Sequence, residues 1–321
     1  MKYRQIGRSA LKVSELCLGT MNFGPQTSER ESFAILNAAL ESGINFIDTA
    51  NQYGGHLGVG TTETILGTWL AQDKARRNKI VLATKVHEPM SDDVNDRGLS
   101  ARHIQMACDA SLKRLGVDHI DLYQMHHIDR SAPMEEIWQA MDRLIAQGKI
   151  TYVGSSNFPG WKITQANEKA IAKGRLGLVS EQSLYNLVER RVELEVIPAC
   201  REYGLGVIAW SPLAGGLLAG GPQDHDGRRQ SDAMKSARAA RSVELAEFDH
   251  LCRDMGQSPS VVALAWLLKQ KGIAATIIGP RSKDQLTSVL PATELLFSDA
   301  DLSAIDAIFP ACGPAPEAYA W

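Results

Sequence analysis

Short apolar runs alternate with longer amphipathic segments from one end of this 321-residue chain to the other, and that alternation limits the fold more than any other feature. Runs of four to six apolar residues are too short for buried helices and read as strands covered on both faces. The segments between them place apolar residues three and four apart, the spacing of a helix with one buried stripe. Strand candidates fall at residues 15–19, 44–48, 80–85, 120–124, 150–154, 178–182, 207–210 and 276–279. Helix candidates fall at 28–43, 61–73, 100–116, 133–148, 159–174, 192–203, 242–255 and 259–271, with one more starting at Ser282. Ser28 and Glu31 have the spacing of a capping box, Gly43 a stop signal, and Pro133 the place of a first-turn proline.

Eight strands, each followed by a helix, must run parallel, and eight parallel strands can close on themselves. The expected fold is therefore α/β: a single (β/α)8 TIM barrel over residues 1–321 with long loops at its C-terminal face. Residues 2–6 and 11–13 flank Gly7-Arg8-Ser9 and predict a small N-terminal β-hairpin ahead of it. Segments 87–99 and 211–241 are longer than ordinary connections and follow strands, which places them at the barrel mouth. The tail, 310–321, carries Tyr319 and Trp321, which can close over that mouth or pack elsewhere.

Composition excludes several classes. A net charge of -3 offers no general attraction for nucleic acid or an anionic membrane, so an anionic ligand needs local groups. Five scattered cysteines without a C-x-x-C pair argue against a disulfide scaffold or a zinc ribbon. No secretory leader and no long apolar run is present, and the expected location is cytoplasmic.

Four chemistry-bearing residues end three consecutive strands. Asp48 closes the second, with Tyr53 five residues on; Lys85 closes the third; His126 follows the fourth. In a barrel all four share one rim. A free phenol, with a pKa of about 10, gives up its proton poorly at neutral pH. A nearby ammonium favours the phenolate, and a carboxylate keeps that ammonium charged and fixed. A phenol so placed can protonate a carbonyl oxygen, while an imidazole beside it orients the carbonyl. Singly, each residue has a commoner fate: Asp48 as a cap or structural ion pair, Lys85 as a surface lysine, Tyr53 as packing. His126 and His127 suggest a metal pair, but neighbours on an extended segment point apart and no third ligand has zinc spacing. No metal site is expected.

Taken together these residues resemble the aldo-keto reductase family. The resemblance covers nearly the whole chain through further motifs in order: the segment 58–67 around Glu63, Gly154-Ser155-Ser156-Asn157, Glu181-Gln182, Trp210-Ser211-Pro212-Leu213 and Gly279-Pro280-Arg281-Ser282. The branch it looks most like holds aryl-alcohol dehydrogenase-like and sugar-phosphate reductases and potassium-channel β subunits. The resemblance implies an NADP(H)-dependent reductase of aldehydes or ketones with Tyr53 as general acid, Asp48 and Lys85 as its tuning pair and His126 orienting the substrate. It also implies a cofactor site. Thr20, Met21 and Asp48 would contact the cofactor, and Ser156, Asn157 and Gln182 would hydrogen-bond its nicotinamide carboxamide. Trp210 would stack on that ring, with Ser211, Pro212, Leu213 and Ala214 over the pyrophosphate. Gly279, Arg281, Ser282 and Gln285 would take the adenosine end. Arg281 offers a guanidinium fork suited to the 2′-phosphate of NADP(H); Trp210 could equally be core packing. Ser288-Val289 stands where many relatives carry a Glu-Asn pair that contacts adenine. Gly204-Leu205-Gly206 enters a strand instead of leaving one, the wrong context for a dinucleotide fingerprint. The alternative function is an NADP(H)-binding regulatory or sensor subunit. The expected partner is a small carbonyl compound; the branch includes both monomers and homo-oligomers.

Overall fold

A computed structural model describes residues 1–220 and 231–315. Strands Tyr3–Gln5 (β1) and Lys12–Ser14 (β2) form the antiparallel hairpin. Eight more follow: Leu16–Gly19 (β3), Phe46–Asp48 (β4), Val81–Val86 (β5), Ile120–Met125 (β6), Ile150–Ser156 (β7), Leu178–Leu184 (β8), Gly206–Trp210 (β9) and Ile273–Ile278 (β10). They pair in parallel in chain order, and β10 pairs with β3, which closes the barrel. The helices are Glu29–Glu41 (α1), Thr61–Gln72 (α2), Ala101–Leu115 (α3), Met134–Ala146 (α4), Gly160–Ile171 (α5), Val196–Glu202 (α6), Asp232–Ala240 (α7), Ser242–Asp254 (α8), Pro259–Lys269 (α9), Lys283–Val289 (α10) and Asp299–Ile308 (α11). None among the described residues is long and apolar enough to cross a membrane.

Side chains alternate across a strand, and here the alternation separates two cores. Phe46, Val81, Ala83, Leu122, Ile208 and Ala275 fill the barrel interior. Their neighbours Ile47, Leu82, Tyr123, Val153 and Val207 pack outward with the helices. The hairpin closes the lower end, since Ile6 and Val13 are fully buried in the inner cluster. Gly7 makes this closure fit: its φ is +57°, and a Cβ there would sit 2.3 Å from the Val179 carbonyl oxygen. Arg4 fastens the plug by donating to the Ile273 and Leu268 carbonyls and to Glu15.

Several local expectations differ from the structure. Ser28 accepts from the Glu31 amide, but the Glu31 carboxylate accepts from the Lys283 amide, so only half of the capping box forms. Segment 192–203 is not one helix: a short 3-10 turn at Arg191–Glu193 precedes α6, and Pro198, lacking an amide proton, sits in the first turn of α6. The last barrel strand begins three residues earlier than expected, through Ala274 and Ala275, which carry little strand signal of their own. Segment 211–241 contains α7, capped by Ser231. Helix α11 also forms, with Ser298 and Asp301 in a full capping box. Tyr319 and Trp321 lie outside the described residues.

Candidate active site

The inward parity that fills the lower barrel with apolar groups turns polar at its C-terminal end. Asp48 follows Phe46 by two residues, Lys85 follows Ala83, Gln124 follows Leu122, and Trp210 follows Ile208. Lys85 is wholly buried. Its Nζ donates to Asp48 Oδ2 at 2.5 Å, to the Thr49 carbonyl at 2.9 Å and to the Tyr53 hydroxyl at 3.4 Å. Burial is the largest influence and works against the lysine's charge, but Asp48 and Tyr53 together outweigh it, and the ammonium titrates above its ordinary value. The other Asp48 oxygen accepts from Gln124 at 3.0 Å and from Gln182 at 2.9 Å. A buried carboxylate with three donors is well satisfied, which a buried ion pair requires.

The backbone holds Tyr53 in place. Its amide donates to Ala50, and its carbonyl accepts from Thr62 at the start of α2. The chain turns sharply after it at Gly54, where a Cβ would sit 1.8 Å from the Gly58 carbonyl oxygen. The ring meets the His126 ring edge-on at 5.9 Å. Burial, with Lys85 adding, drives the His126 imidazolium down to about 2, so its ring is neutral at ordinary pH. A neutral imidazole keeps one N–H to donate.

A single hydrogen-bonded chain joins this cluster to the nicotinamide-end candidates. Trp210 Nε1 donates to Asn157 Oδ1 at 3.1 Å, and Asn157 Nδ2 donates to the His126 carbonyl and to Ser156 Oγ. Ser156 Oγ donates to the Gln182 carbonyl, and the Gln182 amide reaches Asp48. Thr20 joins from β3 by donating its hydroxyl to the Asp48 carbonyl, while Met21 beside it is exposed. Among the described residues three non-glycines have left-handed φ: Asn157 at 58°, Ser211 at 54° and Ala214 at 50°. All three are among the positions that the family resemblance assigns to the cofactor, and strained backbone of this kind collects at ligand clamps. Asn186 holds the Ser211 carbonyl, Pro212 is buried, and Leu213 packs on the core.

The adenosine-end candidates lie across the mouth. Asn22 donates to the Gly279 carbonyl and so ties the β3 exit to the β10 exit. Ser282 and Gln285 cap the start of α10 reciprocally: Ser282 Oγ accepts from the Gln285 amide, and Gln285 Oε1 accepts from the Arg281 amide. Ser288 donates within α10 and Val289 is buried, so neither presents the polar pair that the family pattern has there.

Sequence reasoning overlooked three features. Gln124 supports Asp48, and its parity two residues before His126 was the available signal. Glu181 lies fully buried and accepts from Ser155 Oγ, from Ser183 Oγ at 2.8 Å and from the Phe158 amide at 3.0 Å. Burial pushes its carboxyl up to about 7. Last, His126 and His127 do not point apart. The chain leaves strand geometry after Met125, and the two rings stack at 4.9 Å with Glu88 beside them. The expectation that these neighbouring side chains point apart is therefore corrected by the loop path.

Comparison with known proteins bears on the family. The model of the "Aldo/keto reductase family" matches residues 15–309. An uncharacterized oxidoreductase, YrpG of Bacillus subtilis, is 48% identical over 100% of both chains. Norsolorinic acid reductase B of Aspergillus parasiticus is 33% identical over 95% of this chain and 83% of its own. A probable voltage-gated potassium channel subunit beta of Oryza sativa subsp. japonica is 33% identical over 92% of each. With eight parallel strands closed in order, a lysine bridging carboxylate and phenol at their C-terminal rim, and a family match across nearly all of that frame, this chain belongs to the aldo/keto reductase family.

Proposed function

We propose that the protein reduces an aldehyde or ketone to the alcohol using NADPH, with Tyr53 as the general acid. The observation that carries this reading is the position of Lys85 Nζ, hydrogen-bonded at once to Asp48 and to the Tyr53 hydroxyl. When the phenol gives its proton to a carbonyl oxygen, the oxygen left behind is negative. A buried ammonium 3.4 Å away stabilises that anion, and Asp48 keeps the ammonium protonated and in place. His126, neutral and beside the phenol, donates its N–H to the same carbonyl and sets its approach.

Asn157, Trp210, Ser211 and Ala214 fit a nicotinamide dinucleotide because backbone strain and a half-open indole coincide along one edge of the mouth. These residues would hold the reduced nicotinamide, whose chemistry would be to supply hydride to the carbonyl carbon. The residues named do the rest: they orient the substrate and deliver the proton. Arg281 favours NADPH over NADH through the 2′-phosphate.

The decisive assay mixes the protein with NADPH and an aromatic aldehyde and follows the nicotinamide absorbance. Many turnovers per chain are expected, with stoichiometric alcohol. Loss of one equivalent and no more would instead favour the sensor reading, to which the resemblance to a channel β subunit gives its weight. A panel of aryl aldehydes, sugar aldehydes and keto-sugars then ranks substrates by kcat/KM.

A further inference from the structure

The exits of β5 and β6 lie side by side because those strands pair in parallel register. One exit carries His87 and Glu88, the other His126 and His127. Glu88 Oε1 lies 3.2 Å from His127 Nε2 and 3.4 Å from His87 Nδ1. One ligand atom each from Glu88, His126 and His127 fall within 4.8 Å of one another. Nδ1 of His126 is buried with no hydrogen-bond partner among the described residues, on a residue that is 8% exposed. Asn157 Nδ2 lies 3.4 Å from His127 Nδ1, farther than from its other two acceptors, the His126 carbonyl and Ser156 Oγ, both at 3.1 Å. The tetrad's hydrogen bonds leave this group unexplained.

We propose that Glu88, His126 and His127 form a binding site for a divalent transition cation, with Zn2+ the best match, and that the loaded site switches the reductase off. Two imidazoles and one carboxylate suit zinc; Mg2+ and Ca2+ prefer oxygen alone. Tetrahedral zinc with ligands at about 2.0–2.1 Å holds them roughly 3.3 Å apart. The Glu88–His127 pair already has that separation, and the remaining closure falls to side chains at a loop-built rim. Three protein ligands leave a fourth position for solvent. The cation engages the imidazole proposed to orient the carbonyl and stands where the substrate must enter. Inhibition, the second half of this proposal, rests on the reductase reading; binding does not.

The test uses the full chain without an affinity tag, after chelator treatment and without nucleotide. Titration calorimetry with ZnCl2 should show one saturable site per chain, and Co2+ in its place should give the visible absorption of a four-coordinate nitrogen–oxygen site. Glu88→Gln and His127→Ala should each weaken binding at least tenfold. With NADPH and an aldehyde, Zn2+ should inhibit competitively against the aldehyde and EDTA should reverse it. Glu88→Gln should turn over at the parental rate and need at least tenfold more Zn2+ for half-inhibition. No saturable binding, or binding that both substitutions leave unchanged, overturns the site. Stoichiometric binding with undiminished turnover overturns the switch. Binding in a protein that never turns over would leave the site standing and remove the reductase reading instead.

Discussion

The floor and the mouth of this barrel are built from the same strands with the same inward parity, yet they do different work. At the floor Phe46, Val81, Leu122 and Ile208 meet the hairpin's Ile6 and Val13 in an apolar plug. Two residues further along, those strands present Asp48, Ala83, Gln124 and Trp210, with Lys85 two beyond Ala83. The floor gains stability from area removed from water. The mouth buries an ion pair, which is tolerable because both members are fully engaged: Lys85 has three acceptors and Asp48 three donors. A parallel barrel can thus carry a costly site at one end because the other end secures the fold.

Substitutions should separate the two ends. The largest effect belongs to Tyr53→Phe, which removes the proton donor and little else. Its kcat should fall by about 10²–10⁴-fold, the usual worth of a positioned acid. NADPH affinity by fluorescence titration and the unfolding midpoint should stay near parental values. A variant that reduced aldehydes at the parental rate would remove Tyr53 from the chemistry. Phe46→Ala makes the converse cut. It should cost about 3–5 kcal/mol of stability in urea titration, while kcat per folded molecule holds.

Glu181→Gln sharpens the comparison at the join between core and mouth. The carboxyl titrates at about 7 in the fold against an ordinary 4.5, so the folded chain keeps a proton that the unfolded chain has lost. Its contribution to stability is complete below about pH 4.5 and fades as pH rises through 7. Over that window the glutamine variant should gain about 3 kcal/mol relative to the parent. His126, depressed to about 2, slopes the opposite way, but it is common to both proteins and cancels in the difference. Urea midpoints at pH 5 and pH 8 that shift in parallel for the two proteins would show that Glu181 is not titrating there.

The smallest effect is expected at Arg281→Ala. NADPH affinity should fall by about ten- to a hundredfold, the worth of one or two charge-assisted hydrogen bonds, with NADH little changed. Equal losses for both nucleotides would exclude contact with a 2′-phosphate.

Much of this was legible because a β-strand has a period of two and a helix one of 3.6. Those periods place all eight barrel strands, and they put Asp48, Lys85 and His126 on one rim. Capping chemistry was legible too, although Glu31 spends its carboxylate on Lys283 across the fold and not on its own N-cap. Helix α11 was missed despite the Ser298–Asp301 signal. The break before α6 followed from Pro198, a residue whose missing amide proton is plain in the sequence.

By itself, then, the sequence determined strand order, closure and which residues face inward, because these follow from periodicity and from the handedness of parallel connections. Only tertiary structure decided who meets whom across strands. Gln124 supports Asp48 from the second strand over, Glu181 holds the Phe158 amide, and the histidines after β6 stack toward Glu88. Such meetings depend on strand stagger and loop path to within an ångström. One-dimensional spacing carries no information at that scale.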